Sequence, residues 1–323
     1  MKPTLFLLIS LFCASAFVPG QDVKVRQEAL QLLERAHAAS TSPHLPNLER
    51  VDTFRVSGGD SPAQEGNFSR VVVQGTGRRD EMNLGGYHLV NIFTGKQVAV
   101  EGADQMVPAR LIDVARLTPI YLVNFDSQDV IHEIVDREVG GAMARCIEFD
   151  TVHGQKSDSN EICVDPDTGT LVRQKLGEEE IENSEFFPFA GVLMPGKITY
   201  SFAGKFQIEI SQTMTELTDA TPNMLSAPPS AEIHHLCTTF RRPLGISTPQ
   251  PPGGRLNGDY DVVVRGLVGE DGKVHQAVVQ ESERPDLNAE ALRLVQQWVF
   301  TPAMCDGKPY ITETALTLHF QGR

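Results

Sequence analysis

The chain has 323 residues and a formal net charge of -14. That length holds two ordinary domains with sizeable cores. A surface this acidic excludes the basic footprint that nucleic acid requires and disfavours charge-driven adhesion to anionic lipid.

The chain opens with Lys2 and then runs almost wholly apolar from Pro3 to Val18. The run is short for a membrane span, which needs about 20 residues, and has the length and flanks of a secretory signal. Cleavage fits after Ala16 or after Gly20. The second is preferred because an amphipathic segment starts directly behind it. Phe12 before Cys13 does not suit lipoprotein processing. Residues 22–39 then place Val25, Ala29, Leu32, Leu33 and Ala36 on one stripe, which predicts a helix ended by Pro43 and Pro46. From Leu48 to about Leu217 the apolar period becomes two, with turns at Thr94-Gly95-Lys96, Asp165 to Gly169 and Ala203-Gly204-Lys205. Successive hairpins of this kind predict one large antiparallel sheet. A second helix is expected at Pro108–Arg116, with Leu111, Ile112 and Ala115 on one side.

Thr221 to Pro252 is rich in proline and reads as an extended linker, partly tied down by Cys237. Behind it the order is strand, strand, helix, strand. Asp259–Leu267 and Val274–Gln280 alternate around Gly269-Glu270-Asp271-Gly272. A helix follows, with Asp286 or Asn288 expected as its cap and Ala291, Val295, Trp298 and Val299 as its buried face. Pro302 is expected to stop it, and Asp306-Gly307-Lys308-Pro309 to turn into a last strand, Tyr310–Phe320.

The run Leu287 to Ala303, with an amphipathic helix, Trp298, Phe300 and Pro302 in that order, resembles the TonB C-terminal signature. Asp306-Gly307-Lys308-Pro309 before an alternating strand and the Gly269–Val274 turn agree with it in order and spacing, over about residues 251–323. The resemblance implies a small domain that binds partners. Three features depart from the energy transducers of that family: a cleavable-looking N-terminus, a short linker, and a first helix reduced to Gly253–Gly258. They argue against coupling to an inner-membrane motor. Residues 22–217, one amphipathic helix followed by a long sheet, resemble the LolA/LolB lipoprotein-carrier superfamily. That likeness implies a curved, unclosed half-barrel and rests on element order alone.

Several patterns lack what chemistry needs. Gly191–Lys197 begins like a phosphate loop, but Ile198 stands where a Ser or Thr must hold Mg²⁺, and Pro195 removes a donor. His234, His235 and Cys237 are too few for a zinc site. The Glu178–Glu180 and Glu182 cluster has no partner motif and is expected to be a solvated charged loop. No nucleophile elbow and no His-Glu-x-x-His pair occurs. Binding without catalysis, cofactor or metal is the expectation.

Four cysteines follow the signal, and sequence alone allows three pairings. Cys146 and Cys163 lie in two strands folded about Gly154-Gln155, which sets them opposite each other at a distance a disulfide accepts. Cys237 and Cys305 pair by elimination. The expected fold is α+β, with a signal at 1–20, a LolA-like β-rich domain at 21–220, a Pro-rich linker at 221–236 and a TonB C-terminal-like domain at 237–323. The expected role is that of an exported protein of the periplasm or cell envelope. Its TonB-like domain would take a segment of an envelope or outer-membrane protein by β-strand addition. The alternative is a carrier of a lipid or lipoprotein acyl chain, with Phe186, Phe187, Phe189, Leu193 and Met194 as candidate lining.

Overall fold

The computed structural model describes residues 22–42, 44–58, 62–102, 109–117, 125, 129–153, 156–202, 206–251, 253, 256–282 and 284–322. The expected signal at 1–20 and the turns at Gly154-Gln155 and Ala203–Lys205 lie outside them. The first half holds α1 (Val23–Ser40), β1 (Leu48–Gly58), β2 (Gln64–Val73), β3 (Gly77–Leu84), β4 (Tyr87–Thr94), β5 (Gln97–Glu101) and α2 (Ala109–Arg116). Then come β6 (Val130–Val139), β7 (Ala142–His153), β8 (Lys156–Val164), β9 (Leu171–Leu176) and β10 (Glu179–Ser184). They are followed by β11 (Phe187–Phe189), β12 (Val192–Met194), β13 (Lys197–Phe202) and β14 (Phe206–Glu216). The rest holds β15 (Glu232–His235), β16 (Phe240–Arg241), β17 (Leu244–Ser247), β18 (Tyr260–Val268) and β19 (Val274–Ser282). Last are α3 (Asn288–Val295), β20 (Val299–Thr301), β21 (Ala303–Cys305), β22 (Lys308–Tyr310) and β23 (Thr312–Phe320). With three helices against 23 strands among the described residues, the balance lies further toward β than an even α+β mixture.

Two compact units divide the chain: 1–46, 52–64 and 117–214, and 47–51, 65–116 and 215–323. In the first, β14, β13, β10, β9, β8, β7 and β6 are hydrogen-bonded in that order and do not close into a barrel. Asp22 caps α1 by accepting the amide of Lys24 at 2.8 Å. The stripe read from the sequence is the buried one. Ala29, Leu32, Leu33 and Ala36 pack on Ile131, Ile147, Phe149, Ile162, Val164 and Leu171, the inward residues of β6 to β9. Alternation sends Cys146 and Cys163 to the other face of that sheet. They stand directly opposite in the β7–β8 register, with Cα atoms 4.0 Å apart and the sulfurs bonded. Both are fully buried.

In the second unit, β15, β5, β4, β3 and β2 form an open antiparallel run. Arg70 and Asp80 face each other across β2 and β3 in a bidentate pair at 2.6 and 2.9 Å. In α2 the buried side chains are Leu111 and Val114, while Ala115 is half-buried; the side chain of Ile112 is outside the described residues. The Pro-rich stretch is threaded onto this run. Leu225, in a 3-10 turn at Pro222–Leu225, packs with Val73, Val90, Ile92 and Ala99. Glu232–His235 pairs with β5. Proline supplies the extended backbone there, and a free sheet edge supplies the hydrogen-bond partners.

The C-terminal part of that unit is a three-stranded sheet in the order β19, β18, β23 with α3 packed on it. Two details differ from the sequence reading. The helix opens from a 3-10 turn at Pro285–Leu287 with no side-chain cap: the cap position falls on Leu287, which has no polar side chain, Asn288 is already the first helical residue, and Asp286 is engaged by Arg284 at 2.7 and 2.9 Å. It also ends at Val295, before Pro302 is reached. Trp298 therefore lies beyond the helix, and Val299 is exposed on β20 while Phe300 points inward. A strand's two-residue period, not the helical one, sorts these side chains.

Candidate partner-binding site

The region around Cys305 collects the features that bear on partner binding. Asp306 and Gly307 turn the chain between β21 and β22 with φ of 48° and 83°. An Asp-Gly pair adopts this left-handed hairpin turn at low steric cost. The turn sets the Asp306 carboxylate against the preceding chain. Its Oδ1 accepts the Thr239 amide at 2.7 Å and its Oδ2 the Thr238 amide at 3.1 Å. These two backbone donors hold the Asp306 carboxyl below the usual carboxylate range. The disulfide Cys237–Cys305 closes the same corner, with Cα atoms 5.1 Å apart. Together they fasten β16 to β21, where Phe240 faces Cys305 and Arg241 faces Met304. The Phe240 ring meets that of Tyr310 edge-on at 6.5 Å.

The chain then runs out along β17, which pairs with β20. Its far end is anchored by Trp298, whose indole N–H donates to the carbonyl of Pro249 at 3.0 Å. The indole is buried among Val262, Val264, Val295, Phe300 and Leu318. Gly272 is required beside it: at φ +73° its position leaves the Phe300 carbonyl 2.1 Å from where a Cβ would sit.

Between this strap and the sheet lies a groove of about 480 Å³. Phe240, Arg242 and Pro243 form one wall, and Thr312 to Ala315 of the edge strand β23 form the other. Arg265 on β18 is buried and ion-paired with Glu313, so the one carboxylate in the groove is neutralised from below. Burial pushes the Arg265 guanidinium below its usual value, and the Asp113 charge works against that shift.

The other sequence-derived candidates resolve differently: Glu179, Glu180 and Glu182 lie on strand β10 between β9 and β13, not in a loop, and Glu180 pairs with Arg173 at 2.6 Å. His234 and His235 sit on β15 with partly exposed rings, and Cys237 is spent in its disulfide. Glu161 lies close to Cys146 and Cys163, but those sulfurs are bonded to each other and are not thiolates. Glu161 instead pairs with Arg137 at 3.0 Å and Arg173 at 3.3 Å, in a polar cleft of about 210 Å³ with Glu148, Asn160 and Lys175. Gly191–Lys197 spans β12 and the turn into β13, not a phosphate loop. Phe189 and Met194 are buried, while Phe186, Phe187 and Leu193 are half-buried, and neither groove described here is lined by them. The groove at β23 was not legible in the sequence. Phe240 and Thr312 are 72 positions apart and only the Cys237–Cys305 bond hints at their meeting.

Among the described residues no helix is long and apolar enough to cross a membrane. No curated protein matches the chain. Solved structures similar to it include a LolA superfamily protein from Nitrosomonas europaea, at 11% identity and a TM-score of 0.37 over 61% of this chain and 97% of that one. An outer membrane lipoprotein-sorting protein domain from Vibrio parahaemolyticus matches at 8% and 0.36, over 63% and 96%. MucB, in the complex of Pseudomonas aeruginosa MucA/MucB, matches at 16% and 0.26, over 84% and 98%. Residues 255–321 match the family described as Gram-negative bacterial TonB protein C-terminal.

Proposed function

We propose that the protein is an envelope-associated binding protein whose TonB C-terminal-like region takes an extended segment of an envelope or outer-membrane protein. The groove along the edge of β23 carries this reading. Among the described residues strand β23 is hydrogen-bonded on one side only, to β18, and its residues Thr312–Ala315 line the groove. An added strand gains main-chain hydrogen bonds from such an edge, and side-chain pockets set its specificity. The proposal includes residence in the periplasm or cell envelope after export, with module boundaries near 220 and 237. Action is by binding, not catalysis.

The carrier alternative needs an apolar cavity on the concave face of the N-terminal sheet. In the first unit the apolar face of β6 to β9 is occupied by Ala29, Leu32, Leu33 and Ala36 of α1.

The test is a photo-crosslinking residue at Thr312 in cells of the native host. It should capture an envelope or outer-membrane protein. Ala315→Trp, which fills the groove from an exposed position, should cut the yield about tenfold. Capture of cytosolic proteins alone, or a yield that ignores the Trp, would count against the reading.

A further inference from the structure

A second surface lies beside the groove, in residues that precede the family match. Among the described residues no large apolar side chains are more exposed than Leu244 at 69% and Ile246 at 66%. Both belong to β17, a four-residue strand exposed at every position. Gly245 takes the inward direction: a Cβ there would lie 3.9 Å from the Phe300 ring and 2.9 Å from Thr248 Cγ2. Leu244 and Ile246 are both exposed, on either side of Gly245 where the β17–β20 register shifts, and Val299 of β20 adds to the apolar surface. Strand β17 is paired on one side only, so its other backbone edge has no strand partner among the described residues. Natural proteins blunt such edges with charge, proline or a bulge that twists them away. Here the strand itself, Leu-Gly-Ile-Ser, carries no charge and no proline, and its register with β20 shifts between Gly245 and Ser247. An exposed apolar row on an open edge is available to a partner that brings both backbone and apolar groups.

Charge singles out the occupant. Arg241 ends β16 and Arg242 follows it, with Pro243 between them and β17; both are exposed, and neither has an ion pair among the described residues. Arginines elsewhere are mostly matched, as in Arg70–Asp80, Arg173–Glu180, Arg284–Asp286 and Arg293–Glu290. Two adjacent unmatched guanidiniums on a chain of net charge -14 form a local cationic spot. Guanidinium is the group suited to bidentate carboxylate recognition. The strip is also held rigid in advance. Cys237–Cys305 and the Asp306 carboxylate fix its start, and Leu244 donates its amide to Thr301 Oγ1 at 3.1 Å. Preorganisation lowers the cost of binding.

We infer that Arg241–Ser247 is a docking strip for an acidic, apolar-bearing extended segment of another protein, which adds a strand to the open edge of β17. Carboxylates of the segment meet Arg241 and Arg242, and its apolar side chains cover Leu244, Ile246 and Val299. A lipid surface fits less well, because hydrocarbon offers nothing to the unpaired backbone of the edge and the acidic chain is repelled by anionic headgroups. The inference shares with the proposed function the kind of ligand, an extended segment, and Arg242 and Pro243, which also wall the groove at β23; the edge is a different one.

Fluorescence anisotropy on the full chain tests it, with labelled peptides of equal length that alternate Val with Glu, Lys or Ser. The Glu-Val peptide should bind at least about tenfold more tightly than the Lys-Val peptide and weaken as salt rises. Leu244→Ser with Ile246→Ser should weaken it about tenfold with an unchanged circular dichroism spectrum, since both side chains lie outside the core. Arg241→Glu should turn the preference toward Lys-Val. Ala315→Trp should leave Glu-Val binding unchanged. Equal binding of the Glu-Val and Lys-Val peptides overturns the inference, as does attachment to phosphatidylglycerol vesicles in place of peptide. Loss of Glu-Val binding in Ala315→Trp alone would assign the ligand to the groove at β23, leaving the proposed function intact and this strip without a role.

Discussion

The two disulfides sit in contrasting surroundings, and the contrast separates two ways of using a covalent bond. Cys146–Cys163 joins strands that are already paired over nine residue positions and lies fully buried. The β7–β8 ladder and the α1 core would hold those strands together without it. Cys237–Cys305 is half-exposed and fastens β16, a strand of two residues. Two backbone pairs and the Asp306 carboxylate are its main company. The first bond reinforces an existing arrangement, whereas the second creates one. It supplies the wall of a groove and the start of an exposed strand that local packing alone would leave loose.

The sharpest break in that comparison is Trp298→Ala. The indole fills the small C-terminal core and holds Pro249, so its loss should cost about 3–5 kcal/mol. In differential scanning calorimetry the transition of that region should fall by several degrees, while the transition of the α1–β9 core stays in place. A common drop of all transitions would show that the regions unfold as one.

Removing the second disulfide comes next. The two cysteines are 68 positions apart, so on the chain-entropy model Cys237→Ser with Cys305→Ser should cost up to about 4 kcal/mol. Exposure adds a kinetic signature: mild reductant should open Cys237–Cys305 before Cys146–Cys163, because thiol attack needs access to sulfur. Alkylation followed by peptide mapping reads the order. Hydrogen exchange should then rise at 238–247 and stay low across β7 and β8. Simultaneous reduction of both bonds would remove the contrast.

The smallest effect is a titration. The folded-state pKa of Asp306 is depressed by the Thr238 and Thr239 amides. Its contribution is present above the unfolded value, about 3.9, and is lost as pH falls through the lower folded value. The two amide proton resonances should shift together with a midpoint below about 3.9 and stay flat above pH 5. A midpoint at or above the ordinary value would mean that the carboxylate does not hold the strap.

Much of the architecture was written in periodicity. The α1 stripe at Ala29, Leu32, Leu33 and Ala36 and the alternation of β7 and β8 follow from local geometry, since each helix or strand must turn one face to the core. Register followed as well: a hairpin folded about Gly154-Gln155 sets Cys146 opposite Cys163, and the two are paired and bonded. The Trp298, Phe300 and Pro302 spacing was enough to reveal a TonB C-terminal-like region. Sequence did not decide where elements stop when helix and strand compete, which is why Val299 was placed inside and lies outside. Nor did it show that the Pro-rich stretch finds hydrogen-bond partners on β5, that Arg265 reaches Glu313, or that Phe240 and Thr312 face each other across a groove. Those pairings join segments far apart along the chain. Each depends on a complementary edge or charge that the rest of the fold must first bring within reach, and only the tertiary structure can do that.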